Sequence, residues 1–175
     1  KISVFQSNLA YWYSTVSAIG NSTYRSSYSL TNCSFYNNNK RYNGATFYTS
    51  SSDGEMNNVT FMDTYSSDKF SIQTKSSSVL KIKNCILHPN TSNSYGNTTG
   101  AIRKEITDNV EIIHSNVSSC IVNGVWLSVY GTDGGGNINA DPFFKDPANG
   151  DLSLLKCSPS INAGTKSGIS HTSDI

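Results

Sequence analysis

Leu30-Thr31-Asn32-Cys33-Ser34-Phe35 recurs as Met56-Asn57-Asn58-Val59-Thr60-Phe61 and again as Ile82-Lys83-Asn84-Cys85-Ile86-Leu87. Asn32, Asn58 and Asn84 stand 26 positions apart at each step. A fixed period of that length marks a repeat architecture, in which each unit buries its apolar face only against its neighbours. The shared pattern is apolar, x, Asn, apolar or Cys, x, apolar. Two-residue alternation puts its third and sixth positions out of phase, and a turn or bend at the asparagine accounts for the shift. Weaker echoes are Asn8-Leu9-Ala10-Tyr11, 24 positions before Asn32, and Ile113-His114-Ser115-Asn116-Val117, one longer coil after Asn84. Together they give about five coils before residue 125.

Between the anchors run Gly44-Ala45-Thr46-Phe47-Tyr48, Lys69-Phe70-Ser71-Ile72-Gln73 and Gly100-Ala101-Ile102-Arg103. Each coil therefore holds at least two short strands joined by Asn, Ser and Gly turns. No helical pattern of useful length intervenes, so ordinary βαβ crossovers cannot connect parallel strands, whereas a β-solenoid can. Its equivalent strands pair in parallel about 4.8 Å apart. An antiparallel β-sandwich would leave two equal steps carrying the same asparagine to chance. The register aligns Leu30 with Met56 and Ile82, and Phe35 with Phe61 and Leu87. Cys33 and Cys85 then lie two coils apart with Val59 between them, roughly 9.6 Å, too far for a disulfide. They are expected to be reduced and buried; a Cys120–Cys157 bond is left open.

Composition agrees with β structure and narrows the partners. The 175 residues are 36% hydrophobic and 14% charged, and Lys plus Arg (13) balance Asp plus Glu (12). Without a basic stripe to displace counterions from phosphates, nucleic acid is set aside. No apolar run of about 18 residues spans a membrane, and Lys1-Ile2-Ser3-Val4-Phe5 lacks the apolar core of a signal peptide. The opening residues alternate as though the chain begins inside a strand. Neither end shows a capping helix or a charge-rich terminal coil, so both ends are expected to expose unpaired edges. The four cysteines show no CxxC pair or zinc spacing.

After Trp126 the period stops and a different signature begins, Gly136-Asn137-Ile138-Asn139-Ala140-Asp141-Pro142-Phe143-Phe144-Lys145-Asp146-Pro147-Ala148-Asn149-Gly150-Asp151, followed by Ser158-Pro159-Ser160-Ile161-Asn162-Ala163-Gly164-Thr165. This resembles the closing segment of bacterial right-handed β-helix surface proteins of the choice-of-anchor Q type, with Asn139 and Asn162 where those proteins often have Asp and Cys157 where Gly or Ser is usual. With the upstream Asn-Cys coils, the resemblance covers most of residues 28–175. It implies an extracellular or cell-surface location and an anchoring or sorting module beyond this chain. The expected fold is all-β, a right-handed parallel β-helix truncated at both ends, with coils over residues 1–130 and a tail over 131–175 that packs on or closes them. Flanking coils of the parent chain are its expected neighbours.

Candidate chemistry is sparse. Asp141, Asp146, Asn149 and Asp151 offer hard oxygen ligands suited to Ca²⁺, although no bidentate Glu follows and the same residues make Asx turns. Tyr11, Trp12 and Tyr13 are consecutive, so alternation must expose at least one, and they are the candidate platform for sugar rings. Asp53, Glu55, Asp63 and Asp68 form one acidic region and Glu105, Asp108 and Glu111 another; Asp53, Glu55 and Asp63 could converge but read as a solvated Ser-rich loop and its following strand. Lys81 and Lys83 flank Ile82 and share the outer face. The expected function is a structural or adhesin-like surface module that binds glycans or other cell-surface components. The alternative is a polysaccharide lyase or glycoside hydrolase of the pectate-lyase-like class, which would need three or more carboxylates plus a base on one exterior sheet.

Overall fold

The computed structural model describes residues 3–6, 9–10, 16–40, 45–62, 70–88 and 101–167. These are all-β, with two short 3-10 turns, Ser128–Tyr130 and Pro147–Asn149, as the helical elements among them. In the long sheet Ser3–Gln6, Ser26–Tyr36, Ser52–Met62, Val79–Lys83, Asn109–Ile113 and Thr132–Asp133 lie side by side in chain order, all parallel. A second sheet stacks Val16–Ile19, Phe47–Ser50, Ile72–Lys75 and Ile102–Arg103 in the same sense. Among the described residues strand follows strand without α-helices.

The register is the one set by the asparagines. Leu30 pairs with Met56 and Met56 with Ile82; Phe35 pairs with Phe61 and Phe61 with Leu87. Cys33 pairs with Val59, and Cys85 falls opposite Val59 because Ile86 pairs with Thr60. All four cysteines are free, Cys33, Cys85 and Cys120 buried and Cys157 exposed. Burial pushes the Cys85 and Cys120 thiols up to about 12. Equivalent side chains make continuous interior rows: the Phe35 and Phe61 rings stack at 4.4 Å and 1°, while Phe47, Ile72 and Ile102 form a fully buried row from the second sheet. An offset aromatic stack adds about 1 kcal/mol to the burial itself.

Two polar corners turn the chain. Asn32, Asn58 and Asn84 have left-handed backbones, with φ of 53°, 56° and 53°, and His114 and Gly135 continue the column at 46° and 93°. A left-handed residue breaks the alternation, so apolar residues on both sides of it point inward. Asparagine tolerates that conformation through short polar contacts, here Asn58 Nδ2 to Asn32 Oδ1 at 2.7 Å and Asn84 Nδ2 to Asn57 Oδ1 at 3.2 Å. The other corner is the row Ser26, Ser52, Ser78 and Asp108. Ser52, Ser78 and Asp108 are buried, and Asp108 accepts from Thr74 Oγ1 at 2.8 Å, Ser78 N at 2.9 Å and Glu105 N at 2.8 Å.

Three expectations require correction. Leu9 and Ala10 pair with Asn39 and Lys40 rather than beside the Asn32 corner, so this weaker echo is not in register with the asparagine repeat. Cys120, whose place beyond the last repeat put it outside the regular stack, is instead buried in the core with Tyr130, and Trp126 and Leu127 pack against it. Asp53 and Glu55 lie on the strand Ser52–Met62 rather than in a loop. Thr132–Asp133, within the tail's expected span, supplies one more parallel rung.

The tail then folds back over the asparagine corner. Asn116 Nδ2 donates to Ala140 O at 2.9 Å and its Oδ1 accepts Ala140 N at 3.2 Å. Asn84 does the same to Thr165, at 3.0 and 2.7 Å. In both, a side-chain amide takes the place of a neighbouring strand's peptide group.

Candidate functional site

Alternation along Ser52–Met62 buries Met56 and exposes Asp53 and Glu55 on the outer face of the long sheet. Parallel register extends each into a row across coils. One row is Ser27, Asp53, Val79 and Asn109; the next is Ser29, Glu55, Lys81, Glu111 and Thr132. Three carboxylates and a lysine thus share one outer face. Sequence separated Glu111 from Glu55 because it lies beyond the 26-residue steps: Lys81 pairs with Glu111, 30 positions on.

A shallow open groove of about 530 Å³ runs between these rows, lined by Tyr28, Gly54 and Val79 with Ser27, Ser29, Asp53, Glu55 and Lys81. Gly54 belongs to the inward row of Tyr28 and Leu80, and the Tyr28 ring occupies the space that a side chain at 54 would need. That ring packs against Phe47, centroids 5.0 Å apart. Burial pushes the Tyr28 hydroxyl up to about 12, so it stays a neutral phenol.

Charges along the groove are unevenly paired. Arg25 grips Asp53 with Nε at 2.8 Å and a terminal nitrogen at 2.6 Å, and that nitrogen also donates to Ser52 O and Ser77 O. The fork holds the Asp53 carboxyl below the usual carboxylate range and raises the guanidinium in turn. Lys81 Nζ approaches Glu111 Oε2 at 4.0 Å. Glu55 accepts from Ser29 Oγ at 3.3 Å and has no cation within 4.0 Å among the described residues.

The other candidates are dispersed. Tyr11, Trp12 and Tyr13 lie outside the described residues, as do Asp63 and His171. Asp146, Asn149 and Asp151 meet on the hairpin of Phe144–Asp146 and Asp151–Leu154, but with donors already in place. Asn149 Nδ2 donates to Asp146 at 2.8 Å, and Asp151 takes Ser153 N at 3.1 Å and the Lys145 ammonium at 3.4 Å. The Ser153 bonds first, and Lys145 after them, hold the Asp151 carboxyl below its usual range. Asp141 accepts Phe143 N at 2.8 Å, an Asx turn. Among the described residues no three His, Cys, Asp or Glu side chains gather closely enough to hold a metal. His114 is a corner residue whose Nδ1 lies 3.3 Å from Ala163 O.

Compared with protein-family models, curated proteins and solved structures, the chain matches none.

Proposed function

We propose that this chain is a stretch of right-handed parallel β-helix from an extracellular or cell-surface protein, acting as a structural or adhesin-like module that binds glycans on the outer face of its long sheet. The observation that carries this reading is the groove beside Glu55. Ionised carboxylates accept paired hydroxyls, Lys81 donates, serine hydroxyls do either, and Val79 offers an apolar patch for the C–H face of a sugar ring. The rungs repeat about every 4.8 Å, which suits an extended chain of similar units. The resemblance of the tail to β-helix surface proteins supports the location. A glycan array with the intact protein tests it: binding that Glu55→Ala or Lys81→Ala weakens supports the reading, and binding to nothing on the array, or binding untouched by both variants, overturns it.

The polysaccharide lyase or glycoside hydrolase reading draws support from Asp53, Glu55, Glu111 and Lys81 sharing one exterior face. Against it, Asp53 is gripped by Arg25 and Lys81 leans to Glu111, which leaves neither free as base or acid. New reducing ends or unsaturated uronates released from a polysaccharide, and lost in Glu55→Gln, would favour it.

A further inference from the structure

We infer that the groove on the long sheet selects glycans bearing amines, such as 2-amino-2-deoxy sugars, over neutral or uronate glycans, with Glu55 as the residue that sets the preference. This rests on the glycan reading above and sharpens it. Three carboxylates, Asp53, Glu55 and Glu111, share the outer face with three cations, Arg25, Lys81 and Lys83, and Lys83 Nζ is turned to Ser167 O at 3.3 Å. The face is balanced as a whole, and its negative charge is local to Glu55. Asp53 is held by both edges of Arg25, at 2.8 and 2.6 Å. The Lys81 ammonium lies 4.0 Å from Glu111. Among the described residues Glu55 has one hydroxyl donor, Ser29 at 3.3 Å, and no cation within 4.0 Å.

A sugar ring lying along Val79 would bring its substituents against Glu55. An ammonium there gains a charge-assisted hydrogen bond, a hydroxyl gains a weaker one, and a carboxylate meets like charge. Glu55 is solvent-exposed, so the discrimination is modest and sensitive to salt, about three- to five-fold per ammonium at low ionic strength.

The test titrates the intact protein with chitosan, chitin and galacturonate oligomers of equal length, at mildly acidic pH where the sugar amines are protonated. Chitosan oligomers should bind about three-fold or more tighter than chitin oligomers at low salt, and galacturonate weakest. Glu55→Gln should erase the chitosan preference while retaining chitin binding. Asp141→Asn, which removes the same charge from the tail, should leave the preference intact. Galacturonate binding as tight as chitosan, or a preference that survives Glu55→Gln or is equally lost in Asp141→Asn, overturns the inference. If no oligomer binds, the glycan reading fails with it.

Discussion

The two polar corners both use left-handed backbone and differ in where their side chains go. At the asparagine corner the backbone itself makes the turn: one left-handed residue per coil, its side chain facing outward to a neighbour or to the returning tail. At the serine corner left-handed residues, Ser51, Ser76 and Ser77, again turn the backbone, but here side chains also hold the turn from inside, and Ser52, Ser78 and Asp108 are buried. Ser52 Oγ donates to Ser50 O at 2.7 Å and Ser78 Oγ to Lys75 O at 2.6 Å. The asparagine corner carries the same residue type at Asn32, Asn58 and Asn84. The buried position of the serine corner accepts any small group that satisfies the local carbonyl, and even a carboxylate at Asp108. The first therefore leaves a written period and the second does not, although the second bears the higher energetic stake, because its groups have no water to fall back on.

That contrast can be broken by substitution. Asp108→Ala strands Ser78 N and Glu105 N and should cost about 3 kcal/mol in urea denaturation, the largest single effect expected of either corner; a loss below about 1 kcal/mol would show that the buried corner is not the costlier one. Asn84→Ala should cost about 2 kcal/mol, from left-handed strain and the lost Thr165 pairing, and Asn84→Gly should recover about half of it. Equal losses in the two would show that strain contributes nothing there. Asn58→Ala, lacking a tail contact to lose, should cost less than Asn84→Ala.

Arg25 bridges coils on the outer side of the serine corner, through Asp53, Ser52 O and Ser77 O. Because its folded-state Asp53 carboxyl titrates below the ordinary range, the pair stabilises the fold above that range and its contribution fades as pH falls through the lowered value. The thermal midpoint of Arg25→Met should trail the parent at neutral pH and converge with it in acid; a constant gap would mean that packing alone is at stake. The smallest effect belongs to Cys85→Val, within about 1.5 kcal/mol of neutral because Val59 fills the same row. A thiol reagent should find Cys157 alone in the native protein and the buried three only after unfolding, and fast native modification of Cys85 would contradict its place in the stack.

Legibility follows the same division. Asn32, Asn58 and Asn84 could be read because a single backbone requirement repeats at equal spacing, and the interior rows followed from them by counting. His114 broke the series in two respects, a different residue at a longer step, and the asparagine nearby, Asn116, is one that binds Ala140 instead. The serine corner was invisible: Ser26, Ser52, Ser78 and Asp108 are lost in a composition full of serine, and their meaning comes only from burial. The groove was half visible. Asp53 and Glu55 were noticed as close in sequence, but their company with Glu111 depends on a register that spans a coil of 30 residues. The Arg25 fork has no sequence signal at all.

The returning tail has a consequence for the order in which the molecule comes apart. Each long-sheet strand pairs with the next one along the chain, so the sheet can nucleate locally and grow. Thr165 meets Asn84 across 81 positions, a closure that gains nothing until both the coil and the last rung exist. The strap should therefore dock last and release first. Under native conditions, the amide of Thr165 should exchange with solvent through an opening shallower than global unfolding, while those of Met56 and Ile82 wait for the whole stack.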